Sequence, residues 1–188
     1  ETEKFSQELL TTIATLSQSG SLDEATVEQI GISLAENIGN SAQEKEYNPS
    51  DIKIISDNSV GAIQKYKDTR DGIYMKYYTN QTTQGILQEF LNDEENTSIL
   101  LKFDPIISQK KKIISELVKM QVPQSLAHLH LSLINVSQGM LENAIGMKSI
   151  ESDPLTAMSA ITQYDKNLSD LEILANQLTE AINQKLNN

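Results

Sequence analysis

The chain has 188 residues, of which 38% are hydrophobic, and its 15 basic against 26 acidic residues leave a formal charge of −11. That length suffices for one sizeable core, while the charge repels nucleic acid and anionic lipid head groups at long range and weighs against partners of either kind. The absence of cysteine removes disulfides, thiolate zinc sites, iron–sulfur clusters and cysteine nucleophiles together.

Eight glycines and four prolines fall between long periodic stretches rather than at every tenth residue, which argues against sandwiches and barrels. We therefore expect an all-α fold, an elongated bundle of four or five long helices with an N-terminal helical hairpin. Arg70 is the only arginine, so the side chain best suited to bidentate carboxylate or phosphate recognition is scarce. No stretch approaches the roughly 18 to 20 apolar residues of a membrane span, so direct insertion of this segment is not expected. The chain begins at Glu1 rather than methionine, and we expect a processed piece with an export signal or anchor upstream.

Residues 1–44 read as a hairpin packed on the main bundle of 45–188. Phe5, Leu9, Leu10, Ile13 and Leu16 recur at helical spacing, Gly20 stops that helix, and Ser21 with Glu24 forms a capping box for the next. Val27, Ile30, Leu34 and Ile38 make the second stripe. "DIKIISDNS" (51–59) is β-branched but alternates poorly, which fits either a short extended segment or a helical turn laid across the bundle. From about Asn58 to Tyr78 the helical period returns, breaks near "TNQTTQG", and resumes through Ile86, Leu87, Phe90 and Leu91.

Three punctuated helices follow. In "KFDPIISQKKKIISELVKM", Asp104 and Pro105 stand where an N-cap and first helical residue belong, although Ile99, Leu100 and Phe103 suggest an earlier start with a kink. "QVPQS" with Pro123 separates it from a helix over about 124–150. Asp153 and Pro154 then cap and launch a last helix to about Leu186. At 1.5 Å per residue, 25 to 33 residues make rods of about 35 to 50 Å that pack side by side. In the last helix Ile161, Tyr164, Leu168, Leu171, Ala175, Leu178 and Ile182 form a heptad-like seam, for packing within the chain or, in a homodimer, against a second copy.

The helix over 124–150 carries only Glu142 and Lys148 as formal charges and two apolar stripes: Leu126, Leu129, Leu133, Met140, Ala144 and Met147, then Leu131, Ile134, Leu141 and Ile145. A helix apolar round most of its girth is buried among several neighbours, and Gly139, Gly146 and Ala127 would let them approach closely. The chain's two histidines lie on it. Successive helical residues turn by about 100°, so His128 and His130 diverge by about 200° and cannot share one metal. His130 falls on the apolar side as a hydrogen-bonded structural residue, and His128 on the surface.

No catalytic residue, metal or cofactor is expected: neither histidine has a glutamate at Glu-x-x-His spacing, and phosphate-loop, zincin and serine-elbow motifs are absent. Lys110, Lys111 and Lys112 read as a solvated face. Tyr66, Arg70, Tyr74, Tyr77 and Tyr78 form a candidate interaction surface, because tyrosine joins apolar area to a polar tip; the competing use is core packing. Asn80, Asn96, Asn135 and Asn167 fall in glycosylation sequons of the frequency that chance produces.

"VPQSLAHLHLSLIN", "SDPLTAMSAITQYDK" and "YNPSDIKIISDNSVGAIQKY" resemble stretches of all-helical, exported proteins of small-genome candidate-phylum bacteria. The resemblance covers most of the chain after residue 47. It implies a helical fold and an envelope or extracellular setting, transfers no catalytic residue, and makes Pro123, His130, Asp153 and Pro154 structural landmarks.

The function expected from these features is a non-enzymatic extracytoplasmic bundle that binds a protein partner or serves assembly. The alternatives are a ligand-sensing bundle of a membrane receptor and, less favoured by the residues, an enzyme using His130 with Glu142 or Asp153.

Overall fold

The computed structural model describes residues 45–93 and 96–187; the expected hairpin of 1–44, with Ser21 and Glu24, lies outside them. A 3-10 turn at Pro49–Asp51 leads into strand β1 (Lys53–Ile55), then helices α1 (Val60–Lys76) and α2 (Thr83–Asn92). A 3-10 stretch (Thr97–Lys102) runs into α3 (Phe103–Lys119), followed by strand β2 (Gln121–Pro123) and a 3-10 turn (Gln124–Leu126). Helices α4 (Ala127–Lys148) and α5 (Pro154–Leu186) complete an all-α bundle.

Side-chain caps mark three of the helix starts. The Ser59 hydroxyl accepts from the Ala62 backbone N–H at 3.3 Å, and Thr82 accepts from Gly85 at 3.1 Å. Asp153 accepts from the Thr156 backbone N–H at 3.1 Å and from its hydroxyl at 2.7 Å, with Pro154 at the first helical position, as expected from the sequence.

The cap expected at Asp104 does not form. The helix starts two residues earlier than Pro105, at Phe103, and grows directly out of the 3-10 stretch, the early start that Ile99, Leu100 and Phe103 suggested. Those three side chains are buried and hold the preceding backbone wound, leaving no break to cap. Asp104 instead meets Lys148 at 2.5 Å, and Pro105 sits in the first turn, where a missing N–H costs nothing.

Of the two conformations open to residues 51–59, the extended one is adopted. β1 pairs in parallel with β2, in the register Lys53↔Gln121, Ile54↔Val122 and Ile55↔Pro123. Pro123 ends its strand, where no ladder donor is lost. The Asn58 side chain then accepts from the Ser125 backbone N–H at 2.8 Å and ties the two loops together.

Two apolar clusters fill the interior. One gathers Ile63, Tyr66, Ile73, Leu117, Leu126, Ile134, Leu178 and Ile182 from α1, the end of α3, the start of α4 and the end of α5. The other gathers Ile86, Phe90, Phe103, Ile106, Met140, Met147, Ala160 and Tyr164 from α2, the opposite end of α3, and the facing halves of α4 and α5. α4 runs through both clusters and is the central helix that its composition predicts. One residue departs from the expected stripes: Ile145 is 43% exposed, because α5 and α2 cover the side of α4 that carries Ala144 and Met147 instead.

The glycines set the distance between α4 and α5. A Cβ built on Gly146 would stand 2.7 Å from the Ala160 Cβ, and one on Gly139 would stand 2.9 Å from the Asn167 amide nitrogen. The α5 seam faces this chain: Tyr164, Leu178 and Ile182 are buried, Ile161, Leu168 and Leu171 half-buried, and Ala175 alone is exposed.

Candidate functional site

The residues singled out by chemistry separate into a buried node and a surface. At the node, His130 is wholly buried. Its Nε2 lies 3.1 Å from the Leu117 carbonyl oxygen, which can only accept, so Nε2 carries the proton and donates. Nδ1 is then the acceptor for the Tyr66 hydroxyl at 2.9 Å, and the two rings meet edge-on with centroids 5.5 Å apart. Burial pushes the imidazole pKa down to about 4, the Leu117 carbonyl opposes this, and the Arg70 charge adds to it. Burial raises the Tyr66 phenol above its ordinary value. A neutral ring with both nitrogens satisfied joins α1, α3 and α4. His128 is exposed, and among the described residues no group of three or more histidine, aspartate or glutamate side chains could hold a metal ion.

The five residues of the tyrosine–arginine surface do not stay together. Tyr66 belongs to the core. The Arg70 guanidinium is turned along its own helix onto Asp71, with bonds of 3.0 and 2.7 Å, and Lys67 holds the same carboxylate at 2.9 Å. Burial would raise the Asp71 carboxyl, but these two cations outweigh it and keep it below the ordinary range. Tyr74 is 37% exposed, whereas Tyr78, like Met75 beside it, stands almost free in solvent at 78% and 79%.

Tyr77 is half-buried and joins a cluster that sequence spacing does not reveal. Its hydroxyl donates to Glu116, Lys76 reaches the same carboxylate at 2.7 Å, and Gln109 donates to the Tyr77 carbonyl. Hydrogen bonds from Lys76 and then Tyr77 lower the Glu116 pKa. The groove beside this cluster is floored by Ile107 and edged by Lys111, Lys112 and Lys119. Glu116 and Gln109 lie more than thirty positions from Tyr77, so no local signal announced them. The lysine run also divides: Lys111 and Lys112 are exposed, but Lys110, one turn from both Ile106 and Ile114, is half-buried and its pKa is lowered by desolvation.

Of the residues read as structural landmarks, Pro123 lies at the end of β2, His130 in the core, and Asp153 with Pro154 at the start of α5. Asn135 and Asn167, both in sequons, make internal bonds instead. Asn135 pairs with the Tyr47 backbone and Asn167 with Asn143. No described helix is long and apolar enough to cross a membrane. Comparison with protein-family models, with curated proteins and with solved structures finds no match to this chain.

Proposed function

We propose that this bundle is a non-enzymatic interaction domain that serves assembly or partner binding at the cell envelope. The observation that carries the proposal is the end of α1, where Met75 and Tyr78 stand in solvent and the neighbouring Tyr77 lines the lysine-edged groove along α3. Methionine adapts its shape to a partner surface, and tyrosine adds rigid area with a polar tip. The groove itself, floored by Ile107 and edged by Lys111, Lys112 and Lys119, suits a protein that presents an apolar side chain among carboxylates. A structural role for His130 supports the non-enzymatic part, since both ring nitrogens are already engaged inside the fold. The envelope setting rests on the resemblance to exported helical proteins.

The test is capture of partners from envelope extract by the intact chain and by a Met75→Ser/Tyr78→Ser variant, with light scattering on each. Both substitutions fall on exposed residues and leave the core alone. Loss of one defined partner in the variant is expected. Equal capture by both proteins, or robust turnover of a small substrate by the intact chain, would overturn the proposal.

A further inference from the structure

We propose that the lysine-edged groove along α3 receives the outer face of α5 from a second copy of this chain, joining copies head to tail. The inference rests on the partner surface proposed above and names its occupant.

The groove is a local inversion of charge in a chain of net −11. Its two carboxylates are already engaged, Asp104 with Lys148 at 2.5 Å and Glu116 with Lys76 at 2.7 Å. Lys111, Lys112 and Lys119 form no ion pair among the described residues, and Lys119 reaches the Ser115 hydroxyl at 3.0 Å. A fitting occupant brings carboxylates around an apolar side chain that can rest on Ile107.

α5 presents that arrangement on the face turned away from its buried seam. Ile173 is 52% exposed there. At 100° per residue, Asp170 stands about 60° to one side of it and Glu172 about 100° to the other, with Glu180 nearly in line two turns further on. Between residues 165 and 180 the helix carries Asp165, Asp170, Glu172 and Glu180 against Lys166 alone, which meets Asp170 at 3.0 Å. Ile145, the other exposed isoleucine of the described helices, has Glu142 on one side but Lys148 on the other, and the groove's lysines repel it. The two surfaces also agree in length: Asp104 to Lys119 and Asp165 to Glu180 each rise about 22 Å along their helices.

Both surfaces lie open on a single chain whose helices are packed into one bundle, so a copy does not fill its own groove. The contact between copies is heterologous. Each added copy still offers one groove and one acidic face, and association continues past a dimer.

Light scattering of the purified full chain over a range of concentrations tests this. The mean mass should rise with concentration without a plateau at the dimer, and fall back at about 1 M salt, where the screening length is ~3 Å. Glu172→Lys/Glu180→Lys and Lys111→Glu/Lys112→Glu, all at exposed positions, should each give a monomer. Mixing the two variants should restore growth, because each then supplies the charge that the other's surface requires. Ile173→Ser should weaken association about tenfold. Circular dichroism checks that each variant is folded, and the regain on mixing tells a lost contact from a lost fold. A monomer at every concentration, a dimer of fixed size that neither charge reversal disturbs, or no regain on mixing would each overturn the proposal. A monomer would leave capture from envelope extract as an independent result, so failure of the second copy as occupant and failure of the partner surface are told apart.

Discussion

His130 shows how much one side chain depends on its two neighbours. The ring is buried at no apparent cost because the Leu117 carbonyl takes its proton and the Tyr66 hydroxyl supplies the other bond. Tyr66→Phe keeps the packed ring but leaves Nδ1 without a donor, and should lower unfolding free energy by about 1 to 3 kcal/mol in urea titration. His130→Gln should cost a similar amount through lost packing and bonding. Helical rotation alone separated this residue from His128, since a 200° divergence puts one ring inside and the other out. The glycines allow an equally sharp contrast. Gly146→Ala forces a methyl against Ala160 and should destabilise by about 1 to 3 kcal/mol. Gly72→Ala, in α1 with nothing within 4 Å of the new carbon, should stabilise by about 0.5 to 1 kcal/mol through helix propensity. Thermal denaturation of the two variants, one with Tm lowered and the other with Tm raised, checks both signs.

Helices are legible in this chain wherever their start is written in one residue and the next few. Ser59, Thr82 and Asp153 each accept a bond from a backbone N–H three positions on, a relation set by local geometry. Asp153→Ala should therefore cost about 1 kcal/mol, with hydrogen exchange accelerated first in the opening turn of α5. Asp104 has the same local appearance and no such role. The difference is that Ile99, Leu100 and Phe103 are drawn into the core beside α2, and nothing within "KFDP" encodes that. The β1–β2 pair is less legible still. Its partners lie 68 positions apart in sequence, and three-residue strands carry too little periodicity to announce a ladder.

For the whole molecule, acid should loosen the fold through His130. In the folded state its pKa is pushed down to about 4, while an unfolded histidine titrates near 6.5. Between these values the unfolded chain binds the extra proton, so stability rises with pH across the window. It should be fully present above about pH 6.5, fall by on the order of 3 kcal/mol towards pH 4, and lose nothing more through this group below that. Urea midpoints measured at intervals from pH 4 to pH 8 should trace this slope, and His130→Gln should flatten it. Asp71, lowered despite its burial by Lys67 and Arg70, works in the same direction at lower pH, its contribution being lost as it protonates. By itself the sequence determined the helical class, the central place of α4, the cap of α5 and the opposed fates of the two histidines, because each follows from periodicity or a contact spanning a few residues. Tertiary structure alone decided that Tyr66 leaves the tyrosine surface for the core, that Tyr77 meets Glu116, and that the lysine run divides between solvent and interior. Those outcomes depend on which helices lie against which, and packing between distant segments is free energy that no short window of residues contains.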